Sequence, residues 1–348
     1  MPVNLSESAV INGAYVRRPL HKSYRTVLSQ AVRRKIPFIY RQYILLRQHF
    51  EEHNLEGQRK SLGDKNADRT FFIIRIDDPH LGLMAIYNCV VGYLRFAEKR
   101  GYVAVVDLMN FPNGYLDRAD LGNRNAWEYY FEQPSSFSLK EVYESRNVVF
   151  AAGISPKEAH PMVLSCLLTS RSHASKYFSL IQSRLRIRDD VLRKIDAQTE
   201  RLIRGKKVIG VVNRGSDLVN VKGHAVQPKI EEVIKKTREM LRKWDCHYVF
   251  LASEEAHVVE EFRSEFADQL IVNESKRVTV LAPNTHLVDV SFGRENDKYL
   301  KGLEYLTTVV ILSRCNCLIG SLVGATIGAM EMNRGRYEHT YIFDLGVY

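Results

Sequence analysis

From residue 207 onward, short continuous apolar segments alternate with stretches of helical length, and few folds accept that order. Lys207–Val212, Tyr248–Ala252, Leu270–Val272, Cys317–Ile319 and Thr340–Phe343 are apolar runs of strand length, bounded by Gly, Ser and acidic turns. Val278–Leu281 is a further short apolar segment. Between these runs lie Ile230–Trp244, Ala256–Phe266, Asp297–Leu312 and Val323–Met332. In the first of these helices Ile230, Val233, Ile234, Met240, Leu241 and Trp244 share one side. Strands apolar on both faces, joined by helices, make a parallel doubly wound sheet. An earlier unit has the same logic. Strand Thr70–Ile76, the turn Asp77–Gly82, helix Leu83–Arg100, the cap Gly101 and strand Tyr102–Asp107 form a parallel βαβ unit. The expected fold class is therefore α/β, with two Rossmann-like domains.

Charge divides the chain further. Its 348 residues carry 50 Lys plus Arg and 40 Asp plus Glu, with 45% hydrophobic and 26% charged residues. That composition excludes disorder, collagen-like repeats and a disulfide-stapled miniprotein. Nine of the basic residues and a single acid, Glu7, fall within residues 1–50. Between Tyr24 and Phe50 the apolar positions Val27, Ala31 and Val32, then Tyr40, Ile44 and Leu45, predict two basic helices interrupted at Pro37. They fit either a solvated pair packed on the body or a surface, residues 14–50, lying on anionic lipid. Such lipid contact contributes about 1 kcal/mol per basic residue. The rest of the chain is nearly charge-balanced, so no nucleic-acid partner is expected. Residues 55–69 are polar and read as a linker, and 157–204 as a bridge of helices. The domain expectation is a lead segment and linker at 1–64, an acceptor-side α/β domain at 65–160, bridging helices at 161–204 and a Rossmann-like donor domain at 205–348.

Five cysteines (Cys89, Cys166, Cys246, Cys315, Cys317) lie in apolar contexts. Cys315 and Cys317 are too close for a routine disulfide and lack a second pair for zinc, so they read as buried thiols of a reducing compartment. No signal peptide is visible, and the most apolar stretch, Val309–Met330, is broken by Arg314 and Asn316. The expected location is cytoplasmic, with peripheral contact to the inner face of the cell membrane through the basic helices.

Open parallel sheets bind ligands beyond the carboxyl ends of their strands. That rule places Asp77, Asp78 and His80 for chemistry, although Asp78-Pro79 fits a helix cap as well. The run Asn125-Ala126-Trp127-Glu128, followed by Tyr129, Tyr130 and Phe131, suits sugar recognition and suits a core turn equally. The second domain lacks the dinucleotide fingerprint and instead offers Asn213-Arg214-Gly215-Ser216-Asp217 after its first strand. A guanidinium there binds phosphate with two parallel hydrogen bonds and stabilises a diphosphate leaving group without a metal. No P-loop, Asp-x-Asp pair, zinc pair or nucleophile elbow is present. Two Rossmann-like halves with an Arg at a strand end point to nucleotide-sugar transfer in a cleft between them.

Three ordered motifs then carry a resemblance: Gly210-Val211-x-x-Arg214-Gly215-Ser216-Asp217, then Ser253-Glu254-Glu255, then Leu312-Ser313-Arg314-Cys315-Asn316-Cys317-Leu318-Ile319-Gly320-Ser321. Together they resemble the peptide motifs of the α1,2-, α1,6- and protein O-fucosyltransferase superfamily, nearest to bacterial members similar to the nodulation and core α1,6-fucosyltransferases. Glu295-Asn296-Asp297, Asn125–Glu128 and Gly223-His224-x-x-Gln227-Pro228 resemble the same branch. The likeness spans roughly residues 70–348. It implies a GT-B-like, inverting, metal-independent fucosyltransferase that uses GDP-fucose and no cofactor. Arg214 matches the essential donor-diphosphate Arg. Asn213, Gly215, Ser216, Asp217, Glu254, Glu255, Ser321 and Thr326 fall on the donor side. His80, Asn125, Trp127, Glu128, Gln227 and Glu295 fall on the acceptor side.

Several positions depart from the family pattern. Val212 stands at the usual His, and Gly215 and Leu218 stand at a second Arg and a Lys of the α1,6 branch. Glu254-Glu255 replaces paired Asp residues, and Leu322, Val323, Gly324 and Ala325 replace hydroxyl residues, leaving Thr326. Asp217, His224, Glu295 and Asp77 or Asp78 all remain open as the proton acceptor. Arg214 also fits a salt bridge to Asp217 or Glu254. The expected role is transfer of a deoxyhexose to a glycan acceptor, lipid-linked in one version, during surface polysaccharide synthesis. The alternatives are a transferase of the same fold with another nucleotide sugar, and a non-catalytic nucleotide- or carbohydrate-binding protein.

Overall fold

A computed structural model describes residues 55–76, 78–152, 171–214, 224–280 and 285–345. The basic segment 14–50 lies outside the described residues. Two sheets organise the rest. The first has the order β1-β4-β2-β3, from β1 (Glu56–Lys60), β2 (Phe71–Ile74), β3 (Val103–Val106) and β4 (Val148–Ala151). Its central strand β2 runs parallel to both neighbours, and β1 is an antiparallel edge on β4. The second has the order β7-β6-β5-β8-β9, from β5 (Val208–Val212), β6 (Tyr248–Ala252), β7 (Leu270–Ile271), β8 (Cys317–Ser321) and β9 (His339–Phe343). Every pairing in it is parallel. Two units built on parallel strands match the expected α/β class.

Eight α-helices complete the described residues: α1 (Leu83–Arg100), the one-turn α2 (Leu139–Val142), α3 (Arg171–Arg184), α4 (Asp189–Ile203), α5 (Ile230–Lys243), α6 (Ala256–Phe266), α7 (Asp297–Arg314) and α8 (Gly324–Asn333). Helix α1 has the predicted bounds. Gly101 closes it in the left-handed region (φ 67°), where its N–H returns to the carbonyl of Glu98.

The strand alternation sorts side chains into layers. Phe72 and Ile74 of β2 face the same apolar cluster as Val208 and Val212 of β5, and α1, α7 and α8 fill the space between. Phe71 and Ile73 turn to the opposite face of the first sheet, with Leu139 and Val142 of α2. Ile209 and Val211 turn to the opposite face of the second, with α5 and α6. One core therefore runs from sheet to sheet through shared helices. At the level of sequence, this explains why α1, α8 and the second half of α7 are apolar nearly all round while α5 carries a single apolar stripe.

Strand β1 lies inside the polar stretch read as a linker. It bonds on one side only and its residues Gly57–Lys60 are exposed, so it carries no apolar alternation to reveal it. The four described cysteines, Cys89, Cys246, Cys315 and Cys317, are free and buried, with burial raising each thiol above its ordinary pKa. No helix among the described residues is long and apolar enough to cross a membrane.

Candidate functional site

In the second sheet the chain moves outward through β6 and β7, then returns to place β8 on the other side of β5. The strand order reverses between β5 and β8, the position at which open parallel sheets bind ligands beyond their carboxyl ends. Four of the candidate residues come from strand ends at this reversal. Asn213 and Arg214 follow β5, Glu254 follows β6, and Ser321 ends β8. The Arg214 guanidinium is paired with the Glu254 carboxylate, at 19% and 38% side-chain exposure. That pair orients the planar fork at the sheet edge, and it is one of the two salt bridges the sequence left open. Asn213 is buried, and its backbone N–H donates to the carbonyl of Ala252 at 3.1 Å. Glu255 is also buried, with its carboxylate 3.8 Å from His257 Nε2.

On the other side of the reversal, Ser321 Oγ donates to Gln227 Oε1 at 2.6 Å, and Gln227 Nε2 donates to the carbonyl of Ala225 at 2.8 Å. The loop bearing His224 and Gln227 is thus tied to the end of β8. Helix α8 starts three residues past Ser321 and presents the positive end of its dipole there. Thr326 is fully buried, and its Oγ1 has no hydrogen-bond partner among the described residues. It lies against Gly320, where a Cβ would come within 2.5 Å of Oγ1, so only glycine lets α8 begin so close to β8. Gly215, Ser216 and Asp217 lie outside the described residues.

The first sheet supplies a second group of side chains. Asp77 lies outside the described residues. Asp78 does not cap α1, whose N-cap position is Gly82 without a side-chain cap. Instead Asp78 Oδ1 accepts from the backbone N–H of His80 at 3.0 Å, a local turn that fixes the loop after β2. The first helical N–H, Leu83, donates to Tyr115 Oη at 2.7 Å. His80 Nδ1 sits 2.7 Å from Asp289 Oδ2, and the His80 and His286 rings are 5.3 Å apart. Asp289 and His286 come from the stretch before α7, more than 200 residues away in sequence.

Tyr115 holds the start of α1 and feels the charges of Arg214 and Glu254. Burial pushes its phenol far above the ordinary range, with Tyr305 and Glu254 adding to the shift and Arg214 opposing it. The charges of the Arg214–Glu254 pair therefore act on the same tyrosine that holds the start of α1. Sequence reasoning missed Tyr115, His286 and Asp289, which carry no motif or spacing that marks them.

The aromatic–amide stretch clips β3. Asn125 Oδ1 accepts from Leu108 and Trp127 N–H, and Asn125 Nδ2 donates to the Val106 carbonyl and Glu128 Oε1. All four hydrogen-bonding positions of that amide are engaged within the protein. Glu128 Oε1 also accepts from Gln133 Nε2 at 2.7 Å. Trp127 is fully buried, stacked on Phe131 at 4.4 Å, and its indole N–H donates to the Glu132 carbonyl. Glu295 is exposed on the turn before α7. That turn is held by Arg294, which binds Asp297 at 2.8 Å and both oxygens of Glu304 at 2.5 and 3.0 Å. Among the described residues no group of three or more His, Cys, Asp or Glu is arranged to hold a metal ion.

No family model and no curated protein sequence matches the chain. Solved structures similar to it include a NodZ alpha-1,6-fucosyltransferase soaked with GDP-fucose, at 15% identity and TM-score 0.45, covering 76% of this chain and 93% of that one. The fucosyltransferase NodZ from Bradyrhizobium matches at 15% identity and TM-score 0.44, covering 75% and 93%. POFUT1 in complex with GDP matches at 11% identity and TM-score 0.46, covering 79% and 99%.

Proposed function

We propose that this chain is a fucosyltransferase-like glycosyltransferase that moves a deoxyhexose, fucose from GDP-fucose, onto a glycan hydroxyl with inversion and without a metal. One observation carries the reading: residues from all three ordered motifs, Arg214, Glu254 and Ser321, sit on the ends of three neighbouring strands at the reversal of one parallel sheet. A ligand lying across those ends meets a guanidinium fork from β5, an acidic side chain from β6 and a helix start after β8. A nucleoside diphosphate has matching parts. Its phosphates call for the fork and the helix dipole, and its ribose or base offers hydroxyl and N–H donors to a carboxylate.

The chemistry follows from charge. As the bond from the sugar's anomeric carbon to the diphosphate breaks, negative charge grows on the leaving phosphate, and Arg214 supplies fixed positive charge there. The acceptor hydroxyl attacks from the opposite face, which inverts the anomeric centre. In this reading the acceptor meets the loops of the first sheet, and a lipid-linked acceptor gives the basic residues 14–50 a task at an anionic membrane surface in surface polysaccharide synthesis.

The test is release of GDP from GDP-fucose in the presence of glycan acceptors, for the wild type, Arg214→Ala and Arg214→Lys. Removal of charge stabilisation of this kind lowers kcat on the order of 10²–10³-fold, and Lys should not rescue it, because a point charge cannot reproduce two parallel hydrogen bonds. Wild-type turnover by Arg214→Ala would defeat the assignment. Turnover with another nucleotide sugar in place of GDP-fucose would keep the site and replace the donor.

A further inference from the structure

We propose that His80, oriented by Asp289, is the base that takes the proton from the acceptor hydroxyl; this rests on the glycosyl-transfer reading above. The geometry is that of a two-residue relay. An ionised carboxylate only accepts hydrogen bonds, so the 2.7 Å contact to Asp289 Oδ2 makes His80 Nδ1 the N–H and leaves the lone pair on Nε2. The His80 side chain is 54% exposed, so the ring is not sealed inside the protein.

Both partners are held from behind. The His80 backbone N–H is bound by Asp78 Oδ1. Asp289 closes a 3₁₀ turn on the carbonyl of His286, and Lys301 Nζ binds the carbonyls on either side of it, Val288 at 2.8 Å and Val290 at 2.7 Å. Val288 packs onto Gly114, next to Tyr115, which anchors Leu83. His80 lies three positions before Leu83, a reach of at most about 11 Å. His80 thus lies on the loop leading into the start of α1, which is held by Tyr115, the tyrosine influenced by the Arg214 and Glu254 charges. The charged and titratable groups around it are Asp78 on its own loop and His286, Asp289 and Lys301 from the facing segment.

The step balances. The acceptor O–H gives its proton to His80 Nε2, and the oxygen forms a bond to the anomeric carbon of the donor sugar. The bond from that carbon to the diphosphate oxygen breaks, and its electron pair leaves with the nucleoside diphosphate beside Arg214. The imidazolium, stabilised by the Asp289 carboxylate, then returns its proton to solvent. Asp289 acts through His80 and touches no substrate.

Steady-state transfer from GDP-fucose to a glycan acceptor, run across pH 5 to 9 beside a GDP titration, tests this. In His80→Gln, kcat should fall by a factor on the order of 10²–10⁴, and the acidic limb of the kcat profile should vanish, with GDP affinity unchanged. In Asp289→Asn the amide presents an N–H to Nδ1 and selects the wrong tautomer, so kcat should fall while KM and GDP affinity hold. If the wild type binds GDP and transfers sugar, and His80→Gln keeps its rate and its acidic limb, the dyad proposal fails alone. If the wild type neither binds GDP nor transfers sugar, the glycosyl-transfer reading fails and this proposal with it.

Discussion

Gly302 on α7 sits where the second half of the chain presses on the first. A Cβ at this position would lie 2.1 Å from Tyr130 Oη, 2.4 Å from Tyr130 Cζ and 2.9 Å from Tyr115 Cδ1. Tyr130 cannot swing away, because it is fully buried, donates to the Tyr299 carbonyl at 2.9 Å and stacks on the Tyr299 ring at 5.8 Å with planes 3° apart. Forcing a methyl into a packed core costs about 1–3 kcal/mol. Ala in place of Gly inside a helix returns about 1 kcal/mol. Gly302→Ala should therefore destabilise by about 0–2 kcal/mol net, read from the midpoint of a urea melt. The same substitution placed on a Tyr130→Leu background loses the two nearest contacts and keeps only Tyr115 Cδ1, so it should cost less. That drop in cost is the diagnostic, since residues in contact show coupling of about 0.5–3 kcal/mol. If Gly302→Ala stabilises the wild type, or costs the same on both backgrounds, the close approach of α7 to Tyr130 is not what fixes glycine there.

Glu331 on α8 is fully buried with no hydrogen-bond partner for either oxygen among the described residues, and burial pushes it well above the usual carboxylate range. Its unfolded-state pKa is the lower one, so stability is intact below about pH 4.5 and is lost as pH rises toward the folded value. Glu331→Leu should flatten that decline and add about 1–3 kcal/mol at neutral pH in urea melts; an unchanged pH profile would refute it. Arg294→Lys breaks the paired contact with Glu304 and should loosen the turn before α7, read as faster proteolysis between residues 285 and 297 with the rest of the chain resistant. Gly101→Ala forces a side chain into the left-handed cap of α1 and should cost about 1–2 kcal/mol in the same melts.

Elements with strong period or firm punctuation were legible in the sequence. Helix α1 is framed by a Gly at each end, and α6 lies between an acidic pair and Phe266, so their bounds follow from local chemistry. Strand β1 was not legible, because an exposed edge needs no apolar face. The motifs after β5 and β6 and along β8 were legible as donor-side candidates, but the strand order that brings their ends together is seen only in the fold. His80 and Asp289 were not paired from sequence, because 209 positions separate them and nothing local marks the carboxylate. The Asn125–Glu128 stretch shows the converse limit. Aromatic rings beside amides have the same composition whether they meet a sugar or clip a strand, and only burial distinguishes the two. The basic residues 14–50 remain an expectation from charge and period alone.

The most direct measurement is thermal and calorimetric titration of the full chain with GDP, beside UDP, CMP, dTDP and ADP, in the wild type and in Arg214→Ala. A ligand bound only by the folded state adds about 2.7 kcal/mol of stability at ~100 times its Kd. The expected result is stabilisation by GDP above the other nucleotides, lost in Arg214→Ala while that variant stays folded. Equal stabilisation of wild type and Arg214→Ala by GDP, or none by any nucleotide, would contradict a donor site at the end of β5.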